Sequence, residues 1–341
     1  MKIIQFTCAL VSLYIILHFF SLAKPYIIPL LLAAVICFLI LEIAEFYQTI
    51  NLKEFKIPGF VAMILSILTI GTVLFLLISI INENIQNVIK VAPTYQEKIL
   101  SLLDPILNKL GIQNIPELEE TIKSIDIKKT LSSLTLFVKN ITSNFGMIII
   151  YSIFILLEYR LFKKKLLLIF KEEGAGNIIK NVNTDVRKYI VIKSGASFTT
   201  AVLSFLVLLF VGVDFAALWG MLLFLLNFIP TIGSIIAVIP PTLLALVQFE
   251  GLSNFFIVLS SLITIQVLIG NILEPRFAGR SLNLSPLVIL LSLVFWGKVL
   301  GIVGMFLCVP ITVILNIILA NFESTKSIAI MLSANGKIVK N

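Results

Sequence analysis

Six apolar runs of 18–25 residues recur along this chain, at 3–22, 26–46, 58–82, 145–162, 194–213 and 253–273. At ~1.5 Å of rise per residue, about 20 residues match the ~30 Å hydrocarbon layer of a bilayer. No water reaches that layer, so a spanning backbone must bond within its own helix or within a closed barrel. A barrel would read as ~10-residue segments of alternating polarity, whereas these runs are continuous. The expected fold is therefore an all-α polytopic membrane protein. Of its 341 residues 59% are hydrophobic and 13% charged, against about 25% charged in soluble domains.

The net charge of +8 does not point to nucleic acid, because the basic residues sit in short loops beside the spans, where the positive-inside rule accounts for them. Cys8, Cys37 and Cys308 all lie inside apolar runs without metal-ligand spacing, so they read as packing residues. No metal and no cofactor is expected. Ser21-Leu22-Ala23 before Lys24 resembles a signal-peptide cleavage site, but Lys2 alone supplies the charged region and further spans follow at once. The first run is expected to stay as a span, with His18 packed or interfacial.

Residues 1–82 form an N-terminal three-span region. Residues 83–144 are polar, with seven lysines balancing seven acids and apolar residues at helical spacing (Ile85, Val88, Ile89; Ile99, Leu102, Leu103, Ile106). Pro93, Pro105 and Pro116 are expected to divide this extracytoplasmic region into short amphipathic helices. Residues 145–193 hold the fourth span and a basic linker, with nine Lys/Arg against four acids in 158–193, the strongest cytoplasmic signal in the chain. Within it Ile178, Ile179, Val182, Val186, Tyr189 and Ile190 share one helix face, which suits an element lying on the inner leaflet. Residues 194–325 form a C-terminal membrane region, and 326–341 a cytoplasmic tail.

Two apolar stretches in that region, 215–249 and 286–320, are each 35 residues long. One continuous helix would measure about 52 Å, and two full spans with a turn need at least ~42 residues. Either a re-entrant hairpin or a pair of short spans fits, and both keep Arg276, Arg280, Lys326, Lys337 and Lys340 cytoplasmic when the N-terminus is inside. The architecture is thus about eight membrane segments, six full spans plus two Pro/Gly-broken hairpins. Leu-Trp-Gly at 218–220 and Phe-Trp-Gly at 295–297 form a loose echo between them, as do Pro240-Pro241-Thr242 and Pro310-Ile311-Thr312. Paired interrupted segments of opposite orientation point to a transporter's binding site.

Non-helical backbone at membrane depth survives only where protein or a wet cavity satisfies it. Pro230 ends a half-helix because it lacks an N–H, and Gly233 permits a tight turn. Pro240, Pro275, Gly301, Gly304 and Pro310 are expected to shape the hairpins too. The polar residues near the breaks, Asn227, Thr231, Ser234, Gln266, Asn271 and Glu274, are the candidate substrate pathway. Glu274 with Arg276 reads equally as a boundary ion pair. The glycines of the second hairpin read equally as packing residues, and Lys298 in its middle must reach the interface or a wet vestibule.

Asn-Phe-Ile-Pro-Thr-Ile-Gly at 227–233 with Pro240, then Asn-x-Leu-x-Pro at 271–275, Gly279, Leu284, Pro286, Gly301, Gly304 and Pro310, resemble the autoinducer-2 exporter family, also described as PerM-like permeases. The layout of three spans, an extracytoplasmic helical region and a C-terminal membrane half is similar as well. The resemblance implies a bacterial secondary transporter with about eight membrane segments that forms homo-oligomers. Functions across that family differ, including export of a furanone signal and sodium/proton exchange. Many relatives carry a histidine where this chain has Ser285, so a proton-handling role there is not implied.

The function expected is a permease or exporter that moves a small polar solute or ion, with sodium or a proton as coupling ion, by alternating access. Its place would be the bacterial cytoplasmic (inner) membrane, as a multi-pass protein with both termini in the cytoplasm. The alternative is a non-transporting scaffold that binds envelope partners through 83–144. An enzyme is not expected: one histidine cannot supply a metalloprotease motif, and of Asp104, Asp126, Asp185 and Asp214 only the last borders a span. No phosphate-binding Gly-rich Lys-Ser/Thr loop is present.

Overall fold

The structure, a computed structural model, describes residues 22–52, 55–109, 142–169, 173–249, 251–278 and 283–334, with scattered residues between Ile4 and Phe20, Lys139 and Gly336. Most of the expected first span, the centre of 83–144, Gly279, Arg280 and the end of the tail lie outside the described residues. In chain order the elements are α1 (Lys24–Thr49), a short antiparallel pair β1 (Asn51–Leu52) and β2 (Phe55–Lys56), α2 (Gly59–Lys109), α3 (Phe145–Ile169), α4 (Glu173–Val211), α5 (Ala216–Leu226) and α6 (Ile232–Gln248). There follow α7 (Ser253–Gln266), a π-helical segment (Val267–Leu273), α8 (Glu274–Ala278), α9 (Pro286–Leu300), α10 (Ile302–Ala320) and α11 (Lys326–Leu332). Among the described residues five helices are long and apolar enough to cross a membrane: Lys24–Thr49, Gly59–Val91, Asp185–Val211, Ser253–Phe277 and Ile302–Ala320.

Two expectations are corrected. Pro93 and Pro105 do not divide the polar region, because α2 runs through both to Lys109. Each proline removes one hydrogen bond and crowds one turn, a local cost that a helix already nucleated on both sides carries. The basic linker is likewise not a separate interfacial helix. It continues without a proline or glycine between Lys180 and Ser194 into the fifth span as α4, and Val186, Tyr189 and Ile190 are buried.

The chain divides into two compact units, 1–70 with 144–193 and 277–341, and 71–143 with 194–276. In the first, α1 packs on α3, and its buried residues Ala33, Cys37, Ile40 and Ala44, three of them small, are spaced to one face. The Cys37 thiol donates to the Ser152 carbonyl at 3.4 Å. Near its far end α1 presents Glu42 and Glu45, three residues apart, to one guanidinium: Arg187 Nε lies 2.6 Å from Glu42 and Nη2 bonds Glu45. At the opposite end Lys24 Nζ donates to the Lys298 carbonyl at 3.4 Å. Lys298, exposed in the last turn of α9, therefore lies level with the start of α1.

In the second unit, Ile81, Ile85 and Val88 of α2 join Leu208 of α4, Leu218 and Leu223 of α5, and Val258 and Leu262 of α7 in one core. Asp214 and Gln248 tie the two ends of the α5–α6 pair. Gln248 accepts from the Asp214 backbone N–H at 2.8 Å and donates to the Gly212 carbonyl at 2.8 Å.

Both 35-residue stretches fold as helix pairs. The first breaks over Asn227–Thr231, leaving arms of 11 and 17 residues, and the second at Gly301, leaving arms of 15 and 19. At 1.5 Å per residue the arms measure about 16, 25, 22 and 28 Å. Pro240 and Pro310 lie inside the second arms rather than at the turns. The tryptophans are not equivalent either: Trp219 Nε1 donates to the Asp214 carbonyl, and Trp296 Nε1 to Thr312 Oγ1. The correspondence that does hold is a glycine just past each break. A Cβ on Gly233 would collide with the Leu226 carbonyl and lie 2.7 Å from Ile229 Cβ. A Cβ on Gly304 would collide with the Trp296 carbonyl and lie 2.8 Å from Leu300 Cβ.

Gly233→Ala and Gly304→Ala are each expected to lower stability by about 1–3 kcal/mol, the range of an overpacked site. Gly71→Ala, with open space at its Cβ, is expected to lose nothing. Thermal melts of the three purified variants in one detergent check this.

Candidate functional site

The break between α5 and α6 is built from residues with few ways to satisfy their backbone. Pro230 supplies no N–H, and Thr231, exposed at the tip, has φ +58° and ψ −58°. A β-branched residue at positive φ is a genuine outlier, and such strain of about 1–3 kcal/mol concentrates at functional sites. The Ser234 hydroxyl caps the strained turn by donating to the Thr231 carbonyl at 2.9 Å. Asn227, at the end of α5, is only 3% exposed, and its Nδ2 donates to Ser197 Oγ of α4 at 3.0 Å. A buried amide is thus held between the broken hairpin and a spanning helix.

At the mouth of the pair, Tyr95 of α2 donates its hydroxyl to Asp214 Oδ2 at 2.6 Å. Burial first, and the adjacent Asp214 carboxylate second, push the Tyr95 hydroxyl well above its ordinary pKa, so it remains a donor. Asp214, Gln248 and Trp219 then fasten the chain around Phe215, whose φ is +58°.

The other three candidates lie on the π-helical segment and its borders. Gln266 precedes it, Asn271 lies within it and Glu274 follows it, with the Glu274 N–H reaching the Ile269 carbonyl five residues back. Pro275 is the local cause. It offers no N–H to the turn before it and its ring crowds that turn, and the wider π pitch relieves the crowding. Such segments occur frequently at functional sites. Gln266 Nε2 is buried without a hydrogen-bond partner among the described residues, while Asn271 is exposed and Glu274 half-buried. The six candidates therefore form two groups, Asn227, Thr231 and Ser234 at the hairpin tip, and Gln266, Asn271 and Glu274 along the π segment, carried on helices α6 and α7 that pack together. Sequence reasoning missed Ser197, whose only signal is a recurrence of hydroxyl residues along the fifth span. Among the described residues no three His, Cys, Asp or Glu side chains converge to hold a metal.

Long apolar helices, one pair of them broken around a buried amide, are the architecture of a multi-pass membrane protein. Residues 8–324 match the family described as AI-2E family transporter, and the chain belongs to that family. It is 33% identical to the AI-2 transport protein TqsA of Escherichia coli K12, over 94% of this chain and 93% of the relative. It is also 33% identical to a putative transport protein of Haemophilus influenzae, over 94% of each. A putative transport protein of Borreliella burgdorferi is 31% identical over 97% of this chain and 90% of its own length.

Thr231→Gly frees the residue from the penalty of positive φ and is expected to raise stability by about 1 kcal/mol. An unchanged melting temperature would mean that the tip does not hold this geometry.

Proposed function

We propose that the protein is a secondary transporter of the bacterial cytoplasmic membrane, carrying a small polar solute by alternating access past the tip of the α5–α6 hairpin. The observation that carries this reading is Asn227: an amide in a helix break, buried, and bonded to Ser197, which lies about 21 Å along α4 from its end at Val211. That depth, arms shorter than the ~30 Å layer, and hairpin ends tied by Gln248 all support a re-entrant hairpin opening and closing on one face.

The second pair reads differently. Lys298 sits level with the start of α1, and α10 alone is long enough to cross, which supports two short spans rather than a re-entrant loop. With the first run as a span this gives eight crossings and one re-entrant hairpin, with both termini cytoplasmic. The basic 158–193 segment then faces the cytoplasm, in keeping with the positive-inside rule, and the Tyr95–Asp214 tie lies outside. Gln266, Asn271 and Glu274 form the second part of the pathway, and Glu274 is the group through which a sodium or proton gradient is coupled. The transporter works as a homo-oligomer. The name of the E. coli relative makes AI-2 the first solute to test.

The experiment is transport into proteoliposomes under imposed proton and sodium gradients, reading internal pH and AI-2 uptake. Asn227→Ala is expected to lower flux at least about tenfold, the worth of one lost hydrogen bond to solute. Glu274→Gln is expected to abolish the gradient-driven pH change while leaving membrane insertion intact. Wild-type flux in both variants would remove this assignment.

A further inference from the structure

One face of α4 carries hydroxyls that no feature described so far explains. Ser194, Ser197, Thr200 and Ser204 follow one another at intervals of three, three and four residues, so they rise along one side of the helix. From Ser194 to Ser204 the helix rises about 15 Å in the middle of the Asp185–Val211 span. Ser197 and Thr200 are 0% exposed and Ser204 1%. Thr199, on another face, uses its hydroxyl as helical threonines commonly do, donating to the Gly195 carbonyl four residues back at 2.9 Å. The hydroxyls of Ser194, Thr200 and Ser204 have no hydrogen-bond partner among the described residues, although a buried hydroxyl left unpaired is costly. The one rung that is paired, Ser197, is paired to Asn227 at the hairpin tip.

An apolar residue of the same volume would serve packing at lower cost, as Leu208 does one turn further along the same face. We propose that Ser194, Ser197, Thr200 and Ser204 are the wall of the solute path, a hydroxyl ladder wetted when the α5–α6 hairpin moves away from α4. The inference rests on the hairpin-tip reading above and extends it to α4. Hydroxyls both donate and accept, and the four rungs carry no charge, so they suit an uncharged hydrogen-bonding solute rather than a bare ion. The contact that must open is smooth. Gly220 of α5 abuts Phe205 and the Ala201 carbonyl so closely that a Cβ there would lie 2.9 and 3.3 Å from them, and Asn227–Ser197 is the polar bond across it.

The test uses the full chain in membrane vesicles, with Cys8, Cys37 and Cys308 replaced by alanine and a membrane-impermeant thiol reagent as the probe. Ser194→Cys, Thr200→Cys and Ser204→Cys are made singly, with Leu208→Cys as the reference on the same face. Melting temperatures identify any variant that fails to fold, and the remaining rungs then carry the result. The ladder is expected to label at least about tenfold faster than Leu208→Cys, because reaction follows the population in which the site is open. Labelling at the Leu208→Cys rate throughout would overturn the proposal. The outcome is independent of flux. Loss of transport in Asn227→Ala without ladder labelling would keep the hairpin site and discard the ladder, and ladder labelling with normal flux in Asn227→Ala would do the reverse.

Discussion

The rest of the structure depends on the need of every backbone N–H and C=O in a bilayer to find a partner within the protein. It dictates helices wherever the chain is apolar, and it makes each departure from a helix costly enough to require local support. The support is visible at each departure. Thr231 is strained, yet its carbonyl is capped by Ser234. Around Phe215 the chain turns at positive φ, and Gln248 and Trp219 satisfy the Asp214 and Gly212 backbone groups there. Before Pro275 the helix widens to π pitch instead of ending.

The same constraint explains why two stretches of equal length become different objects. Each turns on a glycine that lets the second arm lie against a carbonyl of the first. Their arms differ, however, because the first pair spends Asn227–Thr231 on a wide, strained tip, whereas the second turns at Gly301 alone with φ +68°. A one-residue turn leaves enough helix for α10 to cross a membrane unaided. The second pair also fills its interior differently: the Thr312 hydroxyl accepts from Trp296 Nε1 and lies within hydrogen-bond distance of Ser292 Oγ and the Cys308 carbonyl, so its polar atoms hold the arms together. In the first pair Asn227 reaches outward to α4 instead.

Much of this was legible in the sequence. Apolar run length matched four of the long helices, at 26–46, 58–82, 194–213 and 253–273, and Pro230 with Gly233 marked the break and its neighbours. The misreadings have physical causes. Proline is a reliable stop only where no established helix continues beyond it, which is why Pro93, Pro105, Pro240 and Pro310 sit inside helices. The amphipathic face at Val186, Tyr189 and Ile190 matched an interfacial helix because periodicity reports a buried face without saying what buries it. The hydroxyls of α4 were invisible for a related reason. Serine and threonine in a span ordinarily bond their own helix, and only coordinates separate Thr199, which does, from Thr200, which does not.

These local devices also decide how the hairpin can move. Straightening its tip would drive Gly233 and Ile229 out of a close-packed turn and would free Ser234 from Thr231, so the tip is the stiff part. Sliding the hairpin off α4 breaks the neutral Asn227–Ser197 bond, worth about 1 kcal/mol net, and dispersion contacts around Gly220 and Phe205. A change of that size lies within the few kcal/mol that separate alternating conformers. If, as proposed, that movement wets the hydroxyls of Ser194, Thr200 and Ser204, their new hydrogen bonds to water or solute offset the loss. On the proposed reading, the unpaired hydroxyls that destabilise the covered state are what brings the uncovered state within reach, and the hairpin would move as a rigid arm.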